Sequence, residues 1–201
     1  AAVTGVQTCA LPISEYGIHG EKSTKPSSIL QPIDAYGISK MAAGKLGLLE
    51  AKKKKMSFIW VRIFSVYGKY ENPNSMIQVT LQKLLKNENC DFSTGTQMWD
   101  YLYSSDAGRA FLKLGDSETK NNYYCLGRGN AKPLKEYIYE MQNILHSNSK
   151  LNFGIIQDNP INRNGMCADI TTLTQDTGWV PEVDFIQGIK WEVERLRRKM
   201  K

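Results

Sequence analysis

Tyr36 and Lys40 stand four residues apart in Asp34-Ala35-Tyr36-Gly37-Ile38-Ser39-Lys40. In a helix that spacing puts both side chains on one face, one turn apart. A phenol beside an ammonium is an acid/base device. A free phenol titrates near pH ~10, about three units above neutrality. A cation ~4 Å away at an effective dielectric of ~20 favours a phenolate by about 4 kcal/mol before desolvation. That is the order of magnitude needed for proton transfer at neutral pH. No second Tyr-x-x-x-Lys occurs in the chain. The spacing alone is equally that of a surface tyrosine beside a solvated lysine, so the surrounding elements decide.

The pair opens a stretch over 36–55 that reads as a helix. Residues 57–64, Ser-Phe-Ile-Trp-Val-Arg-Ile-Phe, read as a strand buried on both faces, as in a parallel sheet. Ser65-Val66-Tyr67-Gly68 then forms a polar turn at the strand's carboxyl end, where α/β sheets bind ligands. Beyond it the pattern predicts a helix over 74–88 with Ile77, Leu81, Leu84 and Leu85 on one face, and short strands near 90–93 and 100–103. A helix follows, capped by Ser105 or Asp106. Next come a strand over 122–126, a turn at 127–130, and a helix from Pro133 to about Leu145 with Leu134, Ile138, Met141 and Leu145 inward. Residues 151–156 suit a strand. Asp169 suits the cap of a short helix ending before Gly178, and Asp184 with Gln187 suits a capping box for the last helix.

The ordered motifs resemble those of the extended short-chain dehydrogenase/reductases, specifically the NAD-dependent epimerase/dehydratase group that acts on nucleotide sugars. That group has a Tyr-Gly-x-Ser-Lys helix followed by a strand ending Arg-x-x-Asn-Val-Tyr-Gly. This chain reads Arg62-Ile63-Phe64-Ser65-Val66-Tyr67-Gly68, with Ser65 where Asn is usual. The group's Gln-x-Arg-Asp-Phe-x-Tyr-Val-x-Asp is matched by residues 97–106, with Trp99 where many relatives place a phosphate-binding Arg. Gly178-Trp179-Val180-Pro181 is similar to its Gly-Trp-x-Pro. The resemblance covers residues 14–201.

It implies the C-terminal part of a Rossmann-like, doubly wound parallel α/β sheet with a small α/β substrate-binding lid. Tyr36 would be the catalytic acid/base. Lys40 would serve the phenol and the ribose of a bound NAD or NADP, and Phe64, Ser65 and Tyr67 would lie on the cofactor side. A nucleotide-diphosphate sugar would draw on Asn74, Ser75 and Met76, on Asp91, Phe92 and Ser93, and on Arg163. As ordinary structure, Phe92 is core or lid packing, Arg163 a solvated loop residue, and Phe64 and Tyr67 core at a strand end.

The first 13 residues do not fit that pattern. Ala2-Val3-Thr4-Gly5 has the look of an opening strand, but the glycines of a phosphate loop do not follow it. Residues 3–13 are similar to the translation of a sequencing-library adapter, so 1–13 reads as a non-native segment before a native 14–201. In the subgroup reading Gly-Ser-Gln-Ala-Glu-Tyr-Gly, the catalytic Ser falls four residues before the position of Tyr16. Pro12 stands there, and Ser14, two positions off, is not assigned to the role. The first βαβαβ half with its Gly-rich turn is expected to be missing, leaving an inactive fragment of the enzyme.

Composition agrees with a soluble protein: 201 residues, 41% hydrophobic, with no apolar run approaching the length of about 18 residues that suggests a membrane span. The net charge of +6 gathers in Lys52–Lys55 and in Arg195, Arg197, Arg198, Lys199 and Lys201, at helix ends where cations complement the dipole. Aromatic interleaving of the nucleic-acid-binding kind does not accompany them, so neither a nucleic-acid nor a membrane partner is expected. Cys9, Cys90, Cys125 and Cys167 match no metal or redox spacing and read as reduced thiols in the cytoplasm; His19 and His146 are too few for a metal site. The expectation is an NAD(P)-dependent nucleotide-sugar epimerase, dehydratase or reductase, a homodimer at full length. A non-catalytic binding or regulatory relative of the same fold is the alternative.

Overall fold

The computed structural model describes residues 12–17, 23–119, 121–158 and 167–199. Asp34 starts the first helix by accepting a hydrogen bond from Gly37 N at 2.6 Å, and α1 runs Ala35–Lys53. Its buried positions are Gly37, Gly44 and Ala51. These are spaced by seven, two turns, and make one stripe of small residues. A Cβ on Gly44 would lie 2.9 Å from the Trp60 indole, and one on Gly47 would lie 2.6 Å from the Phe58 ring. The helix is therefore seated by close backbone approach, and Ile38, Leu46 and Leu49 are exposed. Gly47 meets Phe58 and Gly44 meets Trp60, so helix and strand run antiparallel. The first turn of α1 consequently lies toward the strand's carboxyl end.

The strand predicted over 57–64 is β1 Trp60–Ile63, and the polar turn predicted at 65–68 is instead a second strand, β2 Ser65–Tyr67. Next come α2 Met76–Leu85, β3 Cys90–Asp91, β4 Met98–Trp99, β5 Tyr101–Tyr103, α3 Ser104–Asp116 and β6 Tyr123–Leu126. The chain continues through β7 Lys132–Pro133, α4 Leu134–Leu145, β8 Leu151–Asn152, α5 Thr171–Thr177 and α6 Phe185–Lys199. The break at Phe64 is a change of partner. β1 pairs in parallel with β6, β2 pairs in parallel with β5, and Phe64 N still donates to Leu126 O at 2.9 Å. β3 pairs in parallel with β8, and β4 antiparallel with β7.

One core gathers Ile63, Leu102, Tyr124 and Leu126 of the strands with α3, Leu173 and Trp179. The other is aromatic: Tyr67, Tyr101, Tyr137 and Phe185 meet between β2, β5, α4 and α6, with Tyr137 and Phe185 4.6 Å apart by ring centroids. Gly188 lets α6 close on this cluster, since a Cβ there would lie 2.2 Å from Tyr67 Oη.

Several expected details change for physical reasons. Neither Ser105 nor Asp106 caps α3; Tyr103 is the cap residue, without a side-chain bond. Asp106 is buried and turned to another use: its Oδ2 accepts from Glu182 N and Val183 N, both at 2.9 Å. Its Oδ1 lies 2.8 Å from Arg109 Nη2 as an ion pair without hydrogen-bond alignment. In α4 Leu134, Ile138 and Met141 are buried as expected, Leu145 packs half-buried against the same core, and Tyr137 joins the buried face. The strand expected over 151–156 stops at Asn152, because Gly154 takes φ +81° and both Ile155 N and Ile156 N turn back to Phe92 O. Asp169 binds Thr171 N at 2.9 Å, although Ile170 is the cap residue of α5. Asp184 does cap α6, accepting from Gln187 N at 2.7 Å.

Glycine substitutions separate close approach from helix propensity. At Gly37 a Cβ would fall 2.3 Å from the Ser14 carbonyl oxygen, whereas at Gly108 it would meet nothing within 4 Å. Gly37→Ala is expected to destabilise by about 2 kcal/mol or more. Gly108→Ala is expected to stabilise by about 0.5–1 kcal/mol. Paired denaturant melts of the two variants check both signs.

Candidate active site

Tyr36 and Lys40 sit in the first two turns of α1, on one face. Lys40 Nζ lies 5.3 Å from the centroid of the Tyr36 ring, and Tyr36 is 41% exposed. The turn carrying them is braced from behind. Residues Pro12–Glu15 form a 3-10 turn whose Ser14 carbonyl occupies the space a Cβ on Gly37 would need. Glu15, 1% exposed, fixes that turn to the sheet: its carboxylate accepts from Trp60 Nε1 at 2.8 Å and from Arg62 Nε at 2.9 Å. Arg62 also donates to Tyr16 Oη and Pro26 O, and its guanidinium lies 5.0 Å from the ring centroids of Tyr16 and Tyr123. Tyr16 in turn donates to Lys25 O and lies 3.3 Å from Cys125 Sγ. Burial drives the Tyr16 phenol far above its ordinary value, and it pushes the Cys125 thiol up to about 12. This cluster is a brace.

The residues expected on the cofactor side are all buried. Phe64 packs with Tyr16, Cys125 and Ala168. Tyr67 donates to Phe185 O at 3.3 Å, and burial raises its phenol well above the usual range. Ser65 differs, because its buried hydroxyl has no hydrogen-bond partner among the described residues.

A separate cleft of about 430 Å³ opens at the carboxyl ends of β3 and β8. Asn74, Met76, Asp91, Phe92 and Ser93, five of the residues expected at the substrate, line it together. Ser75 does not; its Oγ accepts from Gln78 N and caps α2. Arg163 lies outside the described residues, as do residues 1–11. The cleft wall also contains Thr94, Thr96, Gln97, Leu134 and Asp158, which motif reading does not assign. Gln97 lies inside the quoted 97–106 segment, Leu134 opens α4, Thr94 and Thr96 lie in the loop after β3, and Asp158 lies in the loop after β8. Those loops are cross-tied, with Thr94 N and Oγ1 donating to Asp158 and Gly154 N donating to Ser93 O. Phe92 is backed by Phe153 at 5.3 Å. Tyr36 and Lys40 are not in this wall.

Two acidic groups, one buried and one half-buried, shape the surroundings. Asp100 accepts from Arg128 N, Gly129 N and Ala168 N at 2.9–3.0 Å, which holds the turn after β6 against residue 168. Burial raises its carboxyl above the ordinary range, and these backbone donors pull it back. Glu71, in the loop before α2, shares Gln78 Nε2 with Glu192, which is paired with Arg195 at 2.6 Å. Burial raises the Glu71 carboxyl, bonds from Ser75 and Gln78 oppose this, and the Glu192 charge adds to it. Trp99 packs on Tyr101, its enclosed Nε1 without a hydrogen-bond partner among the described residues. Among the described residues no group of three His, Cys, Asp or Glu could hold a metal ion, and no helix is long and apolar enough to cross a membrane.

The model of the NAD dependent epimerase/dehydratase family matches residues 10–127. A CDP-abequose synthase of Salmonella typhimurium is 27% identical over 172 residues, covering 83% of this chain and 57% of its own length. The UDP-glucose 4-epimerase of Thermotoga maritima, solved with UDP-glucose, superposes with a TM-score of 0.83 at 20% identity, over 94% of this chain and 62% of that one. The UDP-glucuronic acid 4-epimerase of Bacillus cereus, solved with UDP-glucuronic acid and NAD, gives 0.81 at 21% identity over 92% and 59%. These likenesses establish the α/β fold with parallel strands. The chain spans about half the length of the curated relatives it matches.

Two measurements probe the brace and the acidic loop. Glu15→Ala would leave the Arg62 guanidinium buried without its carboxylate and should cost about 3–5 kcal/mol, read as a lowered urea midpoint at unchanged slope. For Glu71 the folded value lies above the unfolded one. The stability it contributes is therefore full below the unfolded value and is lost as pH rises through the folded value. Glu71→Gln should flatten that limb of the stability profile and raise Tm at pH ~8 by roughly 2 °C in a chain of this size.

Proposed function

The chain belongs to the NAD dependent epimerase/dehydratase family, and from that premise we propose that it is part of an NAD(P)-dependent enzyme that epimerises, dehydrates or reduces a nucleotide-diphosphate sugar. The observation that carries the reading is Tyr36 with Lys40 Nζ 5.3 Å from its ring, in the helix turn at the carboxyl end of β1. The buried, unpartnered Ser65 hydroxyl at that same strand end supports it, since such a group asks for a ligand atom.

The phenol of Tyr36 takes a proton from a sugar hydroxyl, or returns one in a reductive direction. Lys40 places a positive charge beside that oxygen as it becomes negative and offers donors to a ribose hydroxyl. A bound nicotinamide supplies hydride exchange with the sugar carbon. The cleft between β3 and β8 takes the nucleotide end, with Phe92 as the aromatic wall and Asn74 and Ser93 as polar partners. The relatives' own ligands, UDP-glucose with UDP-glucuronic acid and NAD, are of this class. Among the described residues no Gly-rich turn opens a helix to hold a pyrophosphate, and taken alone the 201 residues are inactive in this reading.

The test uses this chain joined to a half that carries such a turn. Tyr36→Phe should abolish turnover, a loss of roughly a hundredfold or more, and leave dinucleotide affinity nearly intact. Lys40→Met should weaken both. Turnover in Tyr36→Phe equal to that of the parent would refute the assignment, and so would saturable dinucleotide binding below about 1 mM by the 201 residues alone.

A further inference from the structure

The cleft between β3 and β8, taken as the nucleotide pocket of the proposed function, has a wall whose charge narrows the choice of base. Among the described residues that line it, Asp91 and Asp158 are the charged ones, and no Lys or Arg stands with them. The two carboxylates repel the charge of a diphosphate. A neutral ring is what the wall suits, beside a Phe92 held in position by Phe153.

The two carboxylates are not equivalent. Asp158 is occupied within the protein, where Thr94 donates to both of its oxygens. Asp91 accepts from Asn152 Nδ2 at 2.8 Å through Oδ1 alone, and no described residue donates to Oδ2. An ionised carboxylate accepts hydrogen bonds and cannot donate. Cytosine presents an amino donor at ring position 4, where uracil and thymine present a carbonyl acceptor. We propose that the cleft selects a cytosine nucleotide over a uracil or thymine nucleotide, with Asp91 as the specificity-determining residue.

CDP and UDP differ at that ring edge and share the same sugar and phosphates, so they isolate the effect. Each is titrated separately into the 15N-labelled 201-residue chain, and the amide shifts of Phe92, Ser93 and Thr94 report occupancy. CDP is expected to bind about tenfold more tightly than UDP, the low end for a carboxylate reading an amino group because Asp91 is exposed. Asp91→Asn keeps the shape of the side chain and should bring the two affinities within about twofold. Equal affinities in the parent chain, or a preference for CDP that survives in Asp91→Asn, would overturn the role of Asp91 and leave the pocket standing. Shifts from neither nucleotide at millimolar concentration would overturn the pocket itself, and with it the proposed binding mode.

Discussion

A carboxylate and a guanidinium withdrawn from water together set the geometry around the first turn of α1. Glu15 and Arg62 are both buried, and the pair is completed by the Trp60 indole and the Tyr16 hydroxyl. Such a pair roughly balances its own desolvation, so its value lies in fixing position more than in adding net stability. Arg62 and Tyr16 also hold the carbonyls of Pro26 and Lys25, and Tyr16 reaches Cys125 on β6. One charge pair thereby joins the 3-10 turn, the connecting loop and two parallel strands. The Ser14 carbonyl of that turn abuts Gly37, so the brace sets where the first turn of α1, with Tyr36, can lie.

The end around β3 and β8 is organised differently. Its strands β3 and β8 are two residues each, too short to order the loops beyond them by ladder bonds alone. Side-chain acceptors and doubled backbone bonds take over. Phe92 O receives both Ile155 N and Ile156 N, and Asp158 latches Thr94. Asp100 and Asp106 do the same for the turn after β6 and the segment before α6. The short β3–β8 pairing thus yields defined walls for a cleft, and two of its residues, Phe92 and Leu134, belong to the same core as Tyr67, Tyr101, Tyr137 and Phe185.

How much of this is legible in the sequence depends on whether the cause is local. The shared face of Tyr36 and Lys40, the Asp184 cap and the inward faces of α2 and α4 follow from periodicity and side-chain chemistry over a few residues. The family was legible from ordered motifs, and the match to residues 10–127 agrees with it. The break at Phe64 was not legible, because a hydrophobic run says nothing about which neighbour each half pairs with. Asp106 reads as a helix cap from its position, and only the fold brings Glu182 and Val183 to it. Glu15 looks like one more acidic residue until Trp60 and Arg62 arrive from beyond α1. In the cleft, Asp91, Phe92 and Ser93 were found by analogy, whereas Thr94 and Asp158 needed the loops after two strands about sixty residues apart to meet. Ser75 carried a motif position and turned out to be a cap.

The small-residue seat of α1 has a dynamic consequence. Gly37, Gly44 and Ala51 bury little hydrocarbon, and the larger Ile38, Leu46 and Leu49 already face solvent. What the helix covers lies on the strand side, the Trp60 indole beneath Gly44 and the Phe58 ring beneath Gly47. Lifting α1 would bare those two rings, so its opening should grow easier with denaturant in proportion to that aromatic surface. Tyr36 and Lys40 thus ride on an element held by what it covers and not by hydrocarbon of its own.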